Sequence, residues 1–502
     1  MKKFTLIALA IMASATSFAQ TTLWDGENTE ITNKNDNAGF WGDGSPTLVE
    51  NPETDGINNS TKCIKFTMTN ASKVVKLPFR DWIQPSMNGS KRISLMIRKN
   101  VNENVMVELS DPTDGSAGYW KKQVVYYTGE GKWQKLVFDY TANGNFDNPG
   151  IMTITAQTGD VNGDQDVYID NIVIEDAPKI NGKLFSEYNA EKKITGDVKL
   201  TGAWMKGSSM NADVDPWQGN TYNDYEYFHN QADNITSVDI RDAQASDVDV
   251  NQFFKNPNTI VYANEAYNHV NVVANQNFTN PNNENVTALY AAKGLELTDA
   301  YAFSCPEAFT AANVKLTRAV REGINSFVLP FYAGASELGA DALATFNEVK
   351  DQSVYFTKAD HADANVPFIT DNAAENDVFT FNNNQKYVEA TPASFDKAFK
   401  GVYAPQSAEG LYGINADGNL QIGGKKATIN AFHAFYQAAE GQAVPAKISF
   451  EGEATGINSV AATTVANGAV YDLSGRRVAE KLAGASLVKG IYVVNGKKVV
   501  VK

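Results

Sequence analysis

Val167–Glu175 reads VYIDNIVIE, apolar and polar residues in alternation with Asp170 at the centre. A period of two marks a β-strand with one face in a core. Well before it, Asn51–Ser60 reads NPETDGINNS, a cluster of turn-forming residues that leads into another strand. Between and around these two stretches lie further short runs: Cys63–Met68, Lys73–Leu77, Arg92–Ile97, Val105–Ser110, Lys121–Tyr127, Trp133–Tyr140 and Ile151–Gln157. Gly, Asn, Asp and Pro separate them, and none has a helical period. Strands at this spacing predict a two-sheet sandwich of the jelly-roll kind over residues 20–178.

A chain of 502 residues is too long for one core and divides into several domains. Its first residues are two lysines, then apolar Phe4–Met12, then the small-residue stretch Ser17-Phe18-Ala19. That pattern predicts a secretory signal peptide over residues 1–19, cut near Ala19. Without Lys2 and Lys3, 41 basic residues face 58 acidic ones, a net of −17. Such a charge disfavours nucleic acid, whose phosphates demand a basic face. No later stretch reaches the roughly 20 apolar residues of a membrane helix, so no transmembrane segment is expected. Cys63 and Cys305 fall in different expected domains and read as two buried, inert thiols, not as a disulfide framework.

After Pro178 the chain turns polar, and residues 179–254 read as a linker. Within it Asn234–Ile240 (NITSVDI) looks like one strand of a leucine-rich repeat, with no second copy to stack on. Residues 255–452 carry more β runs: NPNTIVYAN at Asn256–Asn264, LTDAYAF at Leu297–Phe303, INSFVLPF at Ile324–Phe331 and AFHAFYQA at Ala431–Ala438. Residues 455–502 form a small β tail with VYDLSGRRV at Val470–Val478, then a hairpin turning at Asn495-Gly496. The expected class is all-β: a sandwich, a β-rich middle and a small sandwich-like tail.

NPETDGINNSTKCIKF, GKWQKLVFDY (Gly131–Tyr140) and VYIDNIVI, in that order, resemble the galactose-binding-like carbohydrate-binding modules that Bacteroidota attach to glycan-handling proteins. The resemblance implies a jelly-roll, a polysaccharide or other glycan as partner, and a structural calcium held by Asp170 with Asp25 or Glu27, since a hard cation wants several oxygens. The runs of the middle region resemble the domain that follows leucine-rich repeats in large surface proteins. The tail, with DLSGRRV, KGIYVV and a basic-ended last strand, resembles a type IX sorting domain. That implies a secreted or outer-surface location with attachment through the C-terminal domain.

Sugar rings present apolar faces, so their platforms are exposed aromatics beside amides and acids. Trp41 in FWGDGSP, Trp82 after LPFRD, and Tyr119 with Trp120 after DPTDGSAG sit in turn-rich stretches and are the candidate platforms. Arg80, Asp81 and Asp114 are candidate hydroxyl partners, whereas Trp133, in an alternating strand, reads as core. Asp160–Asp166 (DVNGDQD) opens like an EF-hand loop. It has Gln165 where the glycine belongs and Asn171 where the glutamate belongs, so it reads as an acidic turn. Tyr222–His229 (YNDYEYFH) reads as a packed strand, with a second sugar strip as the alternative. The four histidines are scattered, and no nucleophile elbow or HExxH is present, so no catalytic residue is assigned. The leading expectation is a non-catalytic glycan-binding protein. Its rivals are a structural or adhesion protein and, behind that, a glycoside hydrolase with an unrecognised pair of carboxylates.

Overall fold

The computed structural model describes residues 21–27, 40–42, 44–54, 56–79, 91–110, 121–140, 150–184, 187–206, 208–210, 220–350, 353–381, 385–439, 444–445, 447–450, 469–472, 476–480, 487–494 and 497–501. It divides into two compact units, 1–344 with 359–442 and 345–358 with 443–502. The larger unit begins with the sandwich. Its strands are β1 (Thr21–Trp24), β2 (Trp41–Gly42), β3 (Thr47–Glu50), β4 (Lys62–Met68), β5 (Val74–Pro78), β6 (Lys91–Arg98), β7 (Glu103–Ser110), β8 (Lys121–Tyr127), β9 (Gln134–Tyr140), β10 (Ile151–Thr155) and β11 (Gln165–Asp176). One sheet runs β3-β4-β11-β6-β9 with β1 also on β11; the other runs β2-β5-β10-β7-β8. All-β architecture is thus what the alternation predicted.

Inward residues of both sheets, Ile64, Phe66, Leu95 and Ile97 against Val75, Leu77, Val107 and Ile154, share one buried cluster. Each such side chain stabilises by about 1.5–3 kcal/mol relative to exposure. The outer face of the six-stranded sheet is covered in part, with Lys65, Asp166 and Tyr168 left half-exposed. Cys63, Met96 and Trp133 cluster on one part of it, and Val137 packs with Ala203 and Met205 of the next layer on another. The outer face of the five-stranded sheet is left half-exposed, and this asymmetry locates the site considered below.

Beyond the sandwich, strands Ile194–Trp204, Ala232–Asp239, Ile260–Ala263 and Val272–Thr279 pair in parallel, with Val198, Val238, Val261 and Val272 in register. Asn234–Ile240 is therefore one rung of a stack. Residues 179–254 are no linker: Ile180, Leu200, Trp204, Tyr225, Phe228, Ile235 and Phe253 form their own core. Tyr222–His229 is corrected too, because most of it lies in helix α1 (Asp224–Gln231). Asn223 caps it by accepting from the Tyr225 and Glu226 N–H groups, and Tyr225 and Phe228, three apart, make its buried face.

The rest of the larger unit packs around Leu295, Phe303, Leu316, Phe327, Phe331 and Phe381. In the smaller unit, Arg477–Ala479, Val470–Tyr471, Gly490–Val494 and Lys497–Val501 form a four-stranded antiparallel sheet in that order. Its register pairs Val494 with Lys497 in an antiparallel hairpin; Asn495 and Gly496, the expected turn, lie outside the described residues. Among the described residues no helix is long and apolar enough to cross a membrane.

Candidate functional site

The open face of the five-stranded sheet carries one row across all its strands. Trp41 pairs with Lys76, Lys76 with Thr153, Thr153 with Glu108, and Glu108 with Lys122. Val75, Leu77, Val107 and Leu109, the neighbours of Lys76 and Glu108, are buried, so by the period of two Lys76, Thr153, Glu108 and Lys122 face outward. Partial burial pushes the Glu108 carboxyl up, and the charges of Lys122 and Lys76 pull it back part of the way. Met106, Val124 and Tyr126 continue the face, half-buried. It offers apolar patches between a carboxylate, two ammonium groups and a hydroxyl.

One end of this sheet gathers strand ends. Ile151 pairs with both Pro78 and Ser110, and Leu109 pairs with Lys121. Backbone bonds from Phe79 N–H to Gly150 O (2.7 Å) and from Gly150 N–H to Ser110 O (2.9 Å) tie the same corner. In sequence this corner adjoins the segments 80–90, 111–120 and 141–149. Trp82, Arg80 and Asp81 belong to the first of these, and Asp114, Tyr119 and Trp120 to the second; all lie outside the described residues, as does the Trp41 side chain.

The second feature is a buried carboxylate on the opposite sheet. Strand β11 pairs with β4 through Ile169 and with β1 from Ile172. Asp170 sits at the changeover, beside a bulge at which Asn171 takes φ 46°. The bulge shifts the inward phase from Ile169 to Ile172, which leaves Asp170 on the outer side. There it is fully buried beneath Asn51–Ser60. Asn58 Nδ2 donates to Asp170 Oδ2 (2.9 Å), the Ser60 hydroxyl also donates to Oδ2, and Asn171 N–H donates to Oδ1 (2.8 Å). Burial raises the Asp170 carboxyl above the usual carboxylate range; the Ser60 and Asn58 bonds counteract it and the nearby Glu27 charge adds to it.

The three acids expected as metal ligands do not converge. Among the described residues no group of three His, Cys, Asp or Glu side chains is placed to hold a metal. Asp25 Oδ1 accepts from the Glu27 N–H (2.8 Å). Glu27 accepts from Thr61 N–H, Thr61 Oγ1 and Lys62 N–H, each at 2.7 Å. These bonds outweigh its own desolvation and hold it below the usual range. Around Asp170 the oxygens are instead knit together by hydrogen bonds: Ser60 Oγ also donates to Asn58 Oδ1 (2.8 Å), which accepts from Asn171 Nδ2 as well (3.2 Å). Asn58 and Ser60 lie in the motif quoted for the fold, yet the sequence reading gave them no role.

Trp133 is core, as its strand predicted. Its Nε1 donates to Asn51 Oδ1 (3.0 Å) and to Glu53 O (3.1 Å), pinning the Asn51–Ser60 turn. The acidic turn Asp160–Asp166 leads into β11 as expected, and its Asp166 pairs with Lys65 at 2.7 Å. Cys63 and Cys305 are free and buried. Among the histidines, His433 is held neutral, its pKa lowered to about 4 by burial and by the Arg318 charge.

No family model matches this chain, and no curated protein does. Several solved structures resemble its fold over a third of its length or less. A CBM22-2 xylan-binding domain from Paenibacillus barcinonensis Xyn10C shares 12% identity over 32% of this chain and 98% of its own, with a TM-score of 0.22. TmCBM61, solved with β-1,4-galactotriose, shares 12% over 27% and 85%, with a TM-score of 0.19. An exo-β-agarase shares 14% over 32% of this chain and 25% of its own, with a TM-score of 0.25. Two of these three are carbohydrate-binding modules; the third is an enzyme of which this chain spans a quarter, and an agarase, AgWH50C, matches over a similar share, 24% of its own chain.

Proposed function

We propose that this chain is a secreted or cell-surface, non-catalytic glycan-binding protein whose sandwich takes polysaccharide at the five-stranded sheet. One observation supports the reading above others. The five-stranded sheet, to which β2 with Trp41 belongs, sets Lys76, Thr153, Glu108 and Lys122 in one outward row beside half-buried Met106, Val124 and Tyr126. The strand ends Pro78, Ile151 and Ser110, next in sequence to the segments that carry the other candidate aromatics, stand side by side. The opposite sheet has part of its outer face covered by the next layer, whereas this one offers a half-exposed row across all its strands. On this reading calcium belongs at Asp170, with Asn58 and Ser60. It would supply positive charge to a buried carboxylate and so tie β11 to the Asn51–Ser60 turn. The C-terminal unit would retain the protein at the outer surface.

A glycan-array screen of the full chain tests this. Binding to one polysaccharide class, weakened in Trp41→Ala and Trp120→Ala by roughly 1–3 kcal/mol each, is expected, the scale of one stacked aromatic anchor. Silence across the array from folded protein would defeat it. It would favour a structural or adhesion role, for which the parallel four-strand stack supplies an extended surface.

A further inference from the structure

We propose that the region after the parallel stack holds a second saccharide-binding cleft, between Tyr332 and Tyr387, which takes an uncharged glycan segment. The cleft is about 900 Å³, within the range of small-ligand sites. Three segments build it: the turn through Tyr332 and Glu337, residues 360–364, and the strand Lys386–Val388. Backbone bonds lock them together, Ala335 N–H to Asp360 O at 3.1 Å and Glu389 N–H to Pro330 O at 2.7 Å.

Its floor is rigid and charge-balanced. Lys386 is 6% exposed, and its Nζ donates to Glu337 Oε1 (2.6 Å) and to Tyr332 O (3.0 Å). Phe381, Tyr332 and Phe331 surround the ammonium, with ring centroids at 5.2, 5.8 and 5.9 Å. Glu337 Oε2 in turn accepts from Gly334 N–H at 2.9 Å. Above the floor stand two rings that a core would have buried. Tyr387 is 59% exposed and Tyr332 is 49% exposed, the latter braced by His361 at 4.6 Å. Gln385, also on the wall, has an Oε1 that is buried and meets no hydrogen-bond partner among the described residues.

Apolar ring faces beside fixed acceptors and donors suit the C–H faces and hydroxyls of a sugar. The remaining wall charges, Asp360, Asp363 and Glu389, are acidic, which disfavours uronates and sulfated sugars. They lie exposed on the rim, where solvent screening makes them hydroxyl acceptors more than a trap for cations. This cleft shares no residue with the sandwich site and stands or falls separately from it.

Calorimetric titration of the full chain decides it, using neutral hexose and pentose hexasaccharides, a uronate hexamer and a lysine-rich peptide as probes. A neutral hexasaccharide should bind Trp120→Ala protein undiminished through this cleft, bind Tyr387→Ala protein about tenfold or more weakly, and bind Tyr387→Phe protein nearly as well as the parent. Loss of all binding in Trp120→Ala would overturn the second cleft while leaving the sandwich reading intact. So would a Tyr387→Ala effect seen only with the uronate or the peptide, or no Tyr387-dependent binding at all. Because Tyr387 is exposed, its truncation leaves the fold in place, and Glu389→Gln on the rim gives an independent check in the same titration.

Discussion

Arg92→Ala should cost more stability than any exposed charge substitution in the chain, because Arg92 joins the sandwich to the layer that follows it. It lies in β6 with no exposure. Nε and Nη2 donate to the two oxygens of Asp139 at 2.7 and 3.0 Å. Nη1 and Nη2 donate to the two oxygens of Asp224, at the start of α1, at 2.7 and 3.3 Å. Nη1 also reaches Ala203 O at 2.8 Å. All the N–H groups of the guanidinium are thereby used. Asp224 is itself fully buried, and truncating Arg92 strips that buried carboxylate of its two guanidinium bonds. Breaking a buried pair in this way costs about 3–5 kcal/mol, or roughly 6–20 °C in melting temperature for a cooperative unit of 150–250 residues. Lys65→Ala is the control. Its pair with Asp166 is equally short, 2.7 Å, but 34% and 43% exposed, a setting in which ion pairs contribute about 0–1 kcal/mol. Scanning calorimetry of both variants makes the comparison. Equal melting shifts would refute the argument that burial, and not distance, sets the value of these pairs.

Two further outcomes follow from titrating groups. Asp170 has a folded-state pKa above its unfolded value of about 3.8, so folding favours its protonated form. That stabilisation is complete below the unfolded value and is lost as pH rises through the folded one. In chelator, Asp170→Asn should therefore melt above the parent at pH 7, with the gap closing toward pH 4. With calcium the order at pH 7 should reverse, and indifference to calcium would dismiss the metal. Burial pushes the thiols of Cys63 and Cys305 each up to about 12. A thiol reagent at pH 8 should then label neither until urea unfolds the chain, and fast labelling of native protein would contradict their inertness.

The sandwich was legible because its strands are long enough for alternation to show: Lys121–Tyr127 matches β8 end to end. The strands that escaped, Thr21–Trp24, Trp41–Gly42 and Thr47–Glu50, are too short to display a period. The bulge beside Asp170 was visible only in part. VYIDNIVIE breaks its alternation at Asp170-Asn171, but only pairing with Met96 and Ser94 shows that the break is a bulge. The candidate site was legible in part. The resemblance to carbohydrate-binding modules singled out Asp170, but its hydrogen-bond partners Asn58 and Ser60 come from a turn cluster whose composition says loop and nothing about what it covers.

The parallel stack failed to register for a geometric reason. A repeat is found by constant spacing, yet the valines in register here stand 40, 23 and 11 residues apart. The intervals vary because the first must accommodate α1 and its approach, whereas the last is barely a turn. Composition misled in the same place. Asp224 looks like a solvated acid of a polar linker, and it is buried because Arg92, far earlier in the chain, supplies its counter-charge. Likewise YNDYEYFH carries aromatics that favour strands, but Asn223 and Asp224 at its start supply a helix cap and a favourable charge for the helix dipole. Local propensity and the cap pull in opposite directions, and what decides is tertiary: only the helix sets Tyr225 and Phe228 together against Trp204 and Phe253. Whatever binds the sandwich therefore binds a module whose covered face is continuous with the next core, not one that swings free on a tether.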